Sequence, residues 1–141
     1  MTDEQLVQLA FDAREHAYTP YSHWSVGAAL LCADGTVYQG CNIENAAYTP
    51  SNCAERTAFF KAVYDGQRDF AAIAVVGGPQ GQPAPEVCAP CGVCRQVMQE
   101  FCDPDSFRIV LGVSGGDPKV YLLRDMLPEG FGPSNLSRAQ R

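Results

Sequence analysis

Cys53-Ala54-Glu55 and Pro90-Cys91-Gly92-Val93-Cys94 constrain this chain more than any other stretch, because each places thiols at the mouth of a run that reads as a helix. Cys91 and Cys94, three positions apart, share one face of a helical turn. The unpaired N–H groups of a helix's first turn, and the dipole behind them, favour thiolate charge. Three thiolates occupy three corners of a zinc tetrahedron and leave the fourth for water, which separates a catalytic zinc from a closed structural one. A fold that brings both helix starts to one point would make such a site, with Glu55 beside it and free to move protons. Asn52 is a candidate cap for the first helix, and Pro90 at the start of the second forgoes no hydrogen bond. Three thiolates around one divalent cation leave net negative charge, so Arg56 and Arg95, each just beyond a ligand, are placed to donate hydrogen bonds to the ligand sulfurs.

A chain of 141 residues is long enough for one ordinary domain and short for two, which predicts a single domain over 1–141. The balance of 10 basic against 16 acidic residues, a net charge of −6, with no basic cluster, argues against a polynucleotide partner and leaves small ligands open. The longest apolar runs fall well short of the ~20 residues of a membrane span, and no secretory signal precedes residue 20. The expectation is a cytoplasmic protein without a membrane partner. Seven cysteines in such a chain suit metal binding better than a disulfide framework. Cys32, Cys41 and Cys102, among apolar neighbours, read as small buried side chains. Cys88 completes a Cys88-x-x-Cys91-x-x-Cys94 run, but Arg95-Gln96-Val97-Met98 follows where an iron–sulfur motif requires a further cysteine. Cys88 is therefore expected to be a bystander on a loop.

Thr2 with Gln5 forms a potential capping box, and Leu6, Leu9, Ala10, Ala13 and Ala17 recur at helical spacing, predicting a helix that ends before Pro20. Trp24 to Cys32, the turn Asp34-Gly35 and Thr36 to Cys41 read as a hairpin. A helix then runs from Cys53 to a stop at Asp65-Gly66. Phe70 to Val76 is a continuous apolar run, as in a strand covered on both faces. A loop is expected from Gly77 to Pro90, a helix from Cys91 to about Phe101 and a buried strand from Phe107 to Val113. The short link to Lys119 predicts that the strand Lys119 to Leu123 runs antiparallel to its predecessor. The tail beyond Pro128 reads as irregular. The order predicts an α/β fold, a mixed sheet between helices.

Pro20-Tyr21-Ser22, Val26-Gly27-Ala28-Ala29-Leu30, Gly40-Cys41-Asn42-Ile43-Glu44-Asn45-Ala46-Ala47-Tyr48, the two cysteine motifs and Leu127-Pro128 with Phe131 stand in this chain in one order. Together they resemble the small homotetrameric cytidine deaminases, over nearly the whole length to Phe131. The resemblance implies a three-layer α/β/α fold with a mixed five-stranded sheet. It also implies hydrolytic deamination of cytidine and 2′-deoxycytidine to the uracil nucleosides and ammonia, a step of pyrimidine salvage. By the same resemblance Cys53, Cys91 and Cys94 hold one Zn2+ per subunit and Glu55 is the general acid and base. Asn42 and Glu44, with Asn45 in the same pattern, would read the ribose, and the backbone at Ala54 would meet the base. Trp24 stands where the family commonly has phenylalanine, a candidate aromatic wall. Tyr48 would cross toward a neighbouring subunit's site and Phe131 would lie on a base bound by a partner, so that active sites are shared in a homotetramer.

Two other readings stay open at this point. One is a deaminase of another amino-heterocycle, such as a blasticidin-type antibiotic. The other is an interaction domain whose cysteines close the shell of a zinc ion or an iron–sulfur cluster.

Overall fold

A strand that is apolar at every position from 70 to 76 must be covered on both faces, and the rest of the fold supplies that cover. The computed structural model describes residues 1–139. Its strands are β1 (Trp24–Cys32), β2 (Val37–Cys41), β3 (Phe70–Pro79), β4 (Arg108–Leu111) and β5 (Lys119–Leu122). Its helices are α1 (Asp3–Arg14), α2 (Ala54–Tyr64), α3 (Gly92–Phe101), α4 (Leu123–Met126) and α5 (Pro133–Ala139). The five strands form one sheet in the order β2-β1-β3-β4-β5. β3 pairs parallel with β4 across α3, and the other neighbours pair antiparallel, including β4 with β5 across the short link.

Because successive strand residues point to opposite faces, β3 serves two cores. Ala72, Ala74 and Val76 pack with Leu6 and Ala10 of α1. Ile73 and Val75 turn the other way, into a core with Phe59 of α2 and Met98 of α3. The result is a three-layer α/β/α fold with a mixed sheet. Two glycines set the layer spacing. A Cβ on Gly40 of β2 would stand 2.3 Å from the Ala54 carbonyl oxygen, and one on Gly27 of β1 would stand 2.0 Å from that of Ala10. Only glycine lets α2 and α1 come this close to the sheet.

Several boundaries differ from the sequence reading for identifiable reasons. The Thr2 and Gln5 capping box forms, but α1 stops at Arg14, short of Ala17. Tyr18 pairs with Ile43, so the chain must be extended by then. β3 continues through Gly77, Gly78 and Pro79, which pair with Val26, Ser25 and Trp24. Leu123 opens α4 instead of ending β5, and the tail beyond Pro128 is not irregular throughout, since Pro133 opens α5, a first position that proline suits.

Candidate active site

Pairing through Ile43 assembles the site. Ile43 exchanges backbone hydrogen bonds with Asn52, both 2.9 Å, while Tyr18 N–H donates to the Asn42 carbonyl at 3.0 Å and Glu44 N–H to the Tyr18 carbonyl at 2.9 Å. The segment carrying Asn42 and Glu44 is thereby laid beside the start of α2. Cys53 occupies the N-cap of α2 and Cys91 the N-cap of α3, and neither helix start has a side-chain cap. Thiols thus stand where serine or aspartate would ordinarily sit, with the free N–H groups of both first turns behind them. Asn52 does not cap α2, against expectation. Its Nδ2 donates to Thr57 Oγ1 at 3.1 Å because its backbone is committed to Ile43.

The sulfurs of Cys53, Cys91 and Cys94 all lie within 4.8 Å of one another, and Cys53 and Cys91 are 3.7 Å apart. Zn–S bonds of ~2.3 Å at tetrahedral angles put sulfurs about 3.8 Å apart, so the cluster is able to hold a metal ion of that kind. The hydrogen bond between Cys53 and Cys94, then Arg56, lowers the pKa of the Cys53 thiol, and the same hydrogen bond raises that of Cys94. Arg56 Nη2 donates to Cys53 Sγ at 3.2 Å, and its buried Nε has no partner among the described residues. Arg95 does otherwise than expected: Nε donates to the Pro90 carbonyl and Nη1 to that of Met126, both at 2.8 Å. It ties the loop before Cys91 to the end of α4 instead of donating to a sulfur.

Glu55 is 4% exposed, and burial raises its carboxyl to about 7, with the charge on Cys53 acting in the same direction. Ala54, beside it, is wholly buried. Asn42 spans the start of β1, accepting from Val26 N–H at 2.9 Å and donating to the Trp24 carbonyl at 2.8 Å. Glu44 accepts from the N–H groups of Tyr21 and Ser22 at 3.1 Å and from the Ser22 hydroxyl. The Ser22 hydrogen bonds hold its carboxyl below the usual carboxylate range. Asn45 turns back on its own chain, accepting from Ala47 N–H at 2.9 Å. Trp24, Tyr48 and Phe131 are 43%, 71% and 58% exposed. The cleft lined by Glu44, Tyr21, Ser22, Tyr48 and Ser51 measures about 240 Å³.

Cys88 is not one of the three clustered sulfurs and packs against Gly77, where a Cβ would stand 2.6 Å from its sulfur. Burial raises its pKa, and Trp24 faces it. The sequence reading missed that contact and also the burial of Arg14 at the end of α1. A basic residue in the last turn of a helix was the one signal for the latter, and it is a common one.

The first 110 residues match the family model described as the cytidine and deoxycytidylate deaminase zinc-binding region. A cytidine deaminase of Sporosarcina psychrophila is 50% identical over 139 residues, covering 99% of this chain and 98% of that protein. The crystal structure of cytidine deaminase from Burkholderia pseudomallei superposes with a TM-score of 0.83 at 50% identity, covering 93% of this chain and all of that one. The Mycobacterium tuberculosis enzyme gives 0.77 at 35%, with 94% and 98% covered.

Proposed function

The chain belongs to the cytidine and deoxycytidylate deaminase family, and from that membership we propose that it hydrolyses cytidine and 2′-deoxycytidine to uridine and 2′-deoxyuridine with release of ammonia. The observation that carries the proposal is the meeting of three sulfurs with one buried carboxyl at the starts of α2 and α3. Cys53, Cys91 and Cys94 are the proposed ligands of one zinc per subunit, since thiolates favour zinc over harder ions. When bound there, zinc supplies a Lewis acid and makes water a nucleophile near neutral pH.

Glu55 moves the protons. It accepts one from the attacking water as the water oxygen joins C4, and it delivers that proton to ring N3. It then takes the remaining hydroxyl proton and gives it to the amine as the C4–N bond breaks, so that ammonia leaves and the uracil carbonyl remains. A carboxyl raised to about 7 suits a group that must both take and give a proton at neutral pH. Arg56, bonded to Cys53, is proposed to draw negative charge from the ligand sulfurs.

Asn42 and Glu44 are proposed to read the sugar hydroxyls. Their bonds to β1 and to residues 21 and 22 leave the Asn42 amide a second N–H and Glu44 one lone pair, on Oε2. Asn45 would hold the turn beside them, and the backbone at Ala54 would meet the base, with Trp24 as a wall. Exposed Tyr48 and Phe131 support completion by neighbouring copies in a homotetramer. Among the described residues no helix is long and apolar enough to cross a membrane, and a cytoplasmic location remains our proposal.

Ammonia release from cytidine, 2′-deoxycytidine, free cytosine and a blasticidin-type antibiotic tests this function. Turnover of both nucleosides well above the other two is expected. Best turnover of cytosine or of the antibiotic would replace the reading.

A further inference from the structure

Arg14 is 7% exposed and lies at the end of α1. Ion pairs among the described residues join Arg108 to Asp3 and Arg124 to Asp105, and neither involves Arg14. Three carbonyl groups surround its guanidinium instead. Nε donates to Ser25 at 3.0 Å, Nη1 to Gln82 at 2.8 Å and Nη2 to Pro79 at 2.7 Å. A buried charge without a carboxylate is costly, and a three-way grip on backbone needs the rigid fork of arginine, which a lysine ammonium lacks.

The carbonyls it holds are the significant feature. Ser25 lies between Trp24 and Val26, the two residues whose peptide groups Asn42 binds. Peptide groups of successive strand residues point to opposite edges, so the first three residues of β1 are held by Arg14 on the β3 side and by Asn42 on the β2 side. Pro79 is the β3 residue paired with Trp24, and Gln82 belongs to the turn that follows. Just upstream, His23 adopts a left-handed φ of 56°, a conformation that costs a non-glycine residue on the order of 1–2 kcal/mol. Thr19 and Gln80 hold it in place: His23 N–H donates to the Thr19 carbonyl at 3.1 Å and Gln80 N–H donates to the His23 carbonyl at 2.7 Å. At the base of the clamp, a Cβ on Gly27 would stand 2.5 Å from the Arg14 nitrogen, so the end of α1 has little room to shift.

We propose that Arg14 is a positioning residue for substrate: by gripping the β1 and β3 ends it holds Trp24 and Asn42 in the orientation that receives the nucleoside. This rests on the sugar-side role of Asn42 proposed above. The test is a double-mutant cycle on zinc-loaded protein with Arg14→Met, Asn42→Ala and the pair, reading KM and kcat for cytidine, zinc per chain and Tm. Loss of charged hydrogen bonds that orient Asn42 is expected to raise KM about tenfold in Arg14→Met. The change in kcat should be much smaller and zinc content unaltered, and the pair should raise KM by less than the product of the single effects. A lowered Tm with unchanged KM would reduce Arg14 to a brace of the fold, and multiplicative effects would remove the route through Asn42. Either result overturns the proposal. An unchanged KM in Asn42→Ala alone would be a different failure, that of the sugar reading itself. If Arg14→Met does not fold, Arg14→Lys should still raise KM, and a wild-type KM there overturns the proposal.

Discussion

Burial leaves Glu55 almost no contact with solvent, and its carboxyl rises to about 7 as a result. Glu55→Gln keeps the shape and removes the titrating group. It should retain zinc while kcat falls by ~10²–10⁴, the usual scale of general acid–base catalysis. Metal analysis beside steady-state rates checks this, and an active variant contradicts the role. Arg56→Ala should lower kcat more than Tm, since the side chain bonds the sulfur of Cys53, a proposed ligand; unchanged kinetics would make it an ordinary helix arginine. At Glu44 the sign follows from a lowered pKa, caused first by the Ser22 hydrogen bond. The fold favours the ionised form, so its contribution is complete above the ordinary glutamate value of ~4.3 and is lost as pH falls through the lowered folded value. Nucleoside KM should rise in that acid range, and Glu44→Gln should lose that part of the profile. A variant with the same acid dependence of KM would contradict it.

The helix starts were legible because their chemistry is local. Thiols ahead of the Ala54 and Gly92 runs, with Pro90 before one of them, mark where α2 and α3 begin. The central strand was legible because residues 70 to 76 have no polar face. Asn52 and Arg95 were misread for the opposite reason, since their partners, Thr57, Pro90 and Met126, are chosen by tertiary packing that short spacing does not reveal. The left-handed residues were equally hidden. His23, Tyr48 and Glu129, with φ of 56°, 61° and 54°, stand at or within two positions of Trp24, Tyr48 and Phe131, where local preference alone would call for glycine. Gly40 carries a prediction at this scale. Its missing side chain admits the Ala54 carbonyl, so Gly40→Ala must displace the start of α2 and should cost ~1–3 kcal/mol of stability, as overpacking does. Denaturant unfolding of the zinc-loaded protein measures it, and a neutral result would show that α2 has room to move.

At the scale of the whole molecule, the exposure of Tyr48 and Phe131 is what the proposed homotetramer would use, each side chain reaching a neighbouring copy's site. Phe131 lies between glycines on a segment held to α3, with its carbonyl accepting from Gln96 Nε2 at 2.8 Å. The same helix therefore carries two of the proposed zinc ligands and anchors the proposed contribution to a neighbour's site. Activity per chain should fall with dilution in step with loss of the tetramer, followed by sedimentation, and a fully active monomer would contradict shared sites. Everything upstream depends on what the three sulfurs hold. X-ray absorption at the zinc edge of the purified protein tests that most directly. The account predicts three sulfurs at ~2.3 Å and one oxygen at ~2.0 Å, whereas four sulfurs, or no zinc at these cysteines, would contradict it.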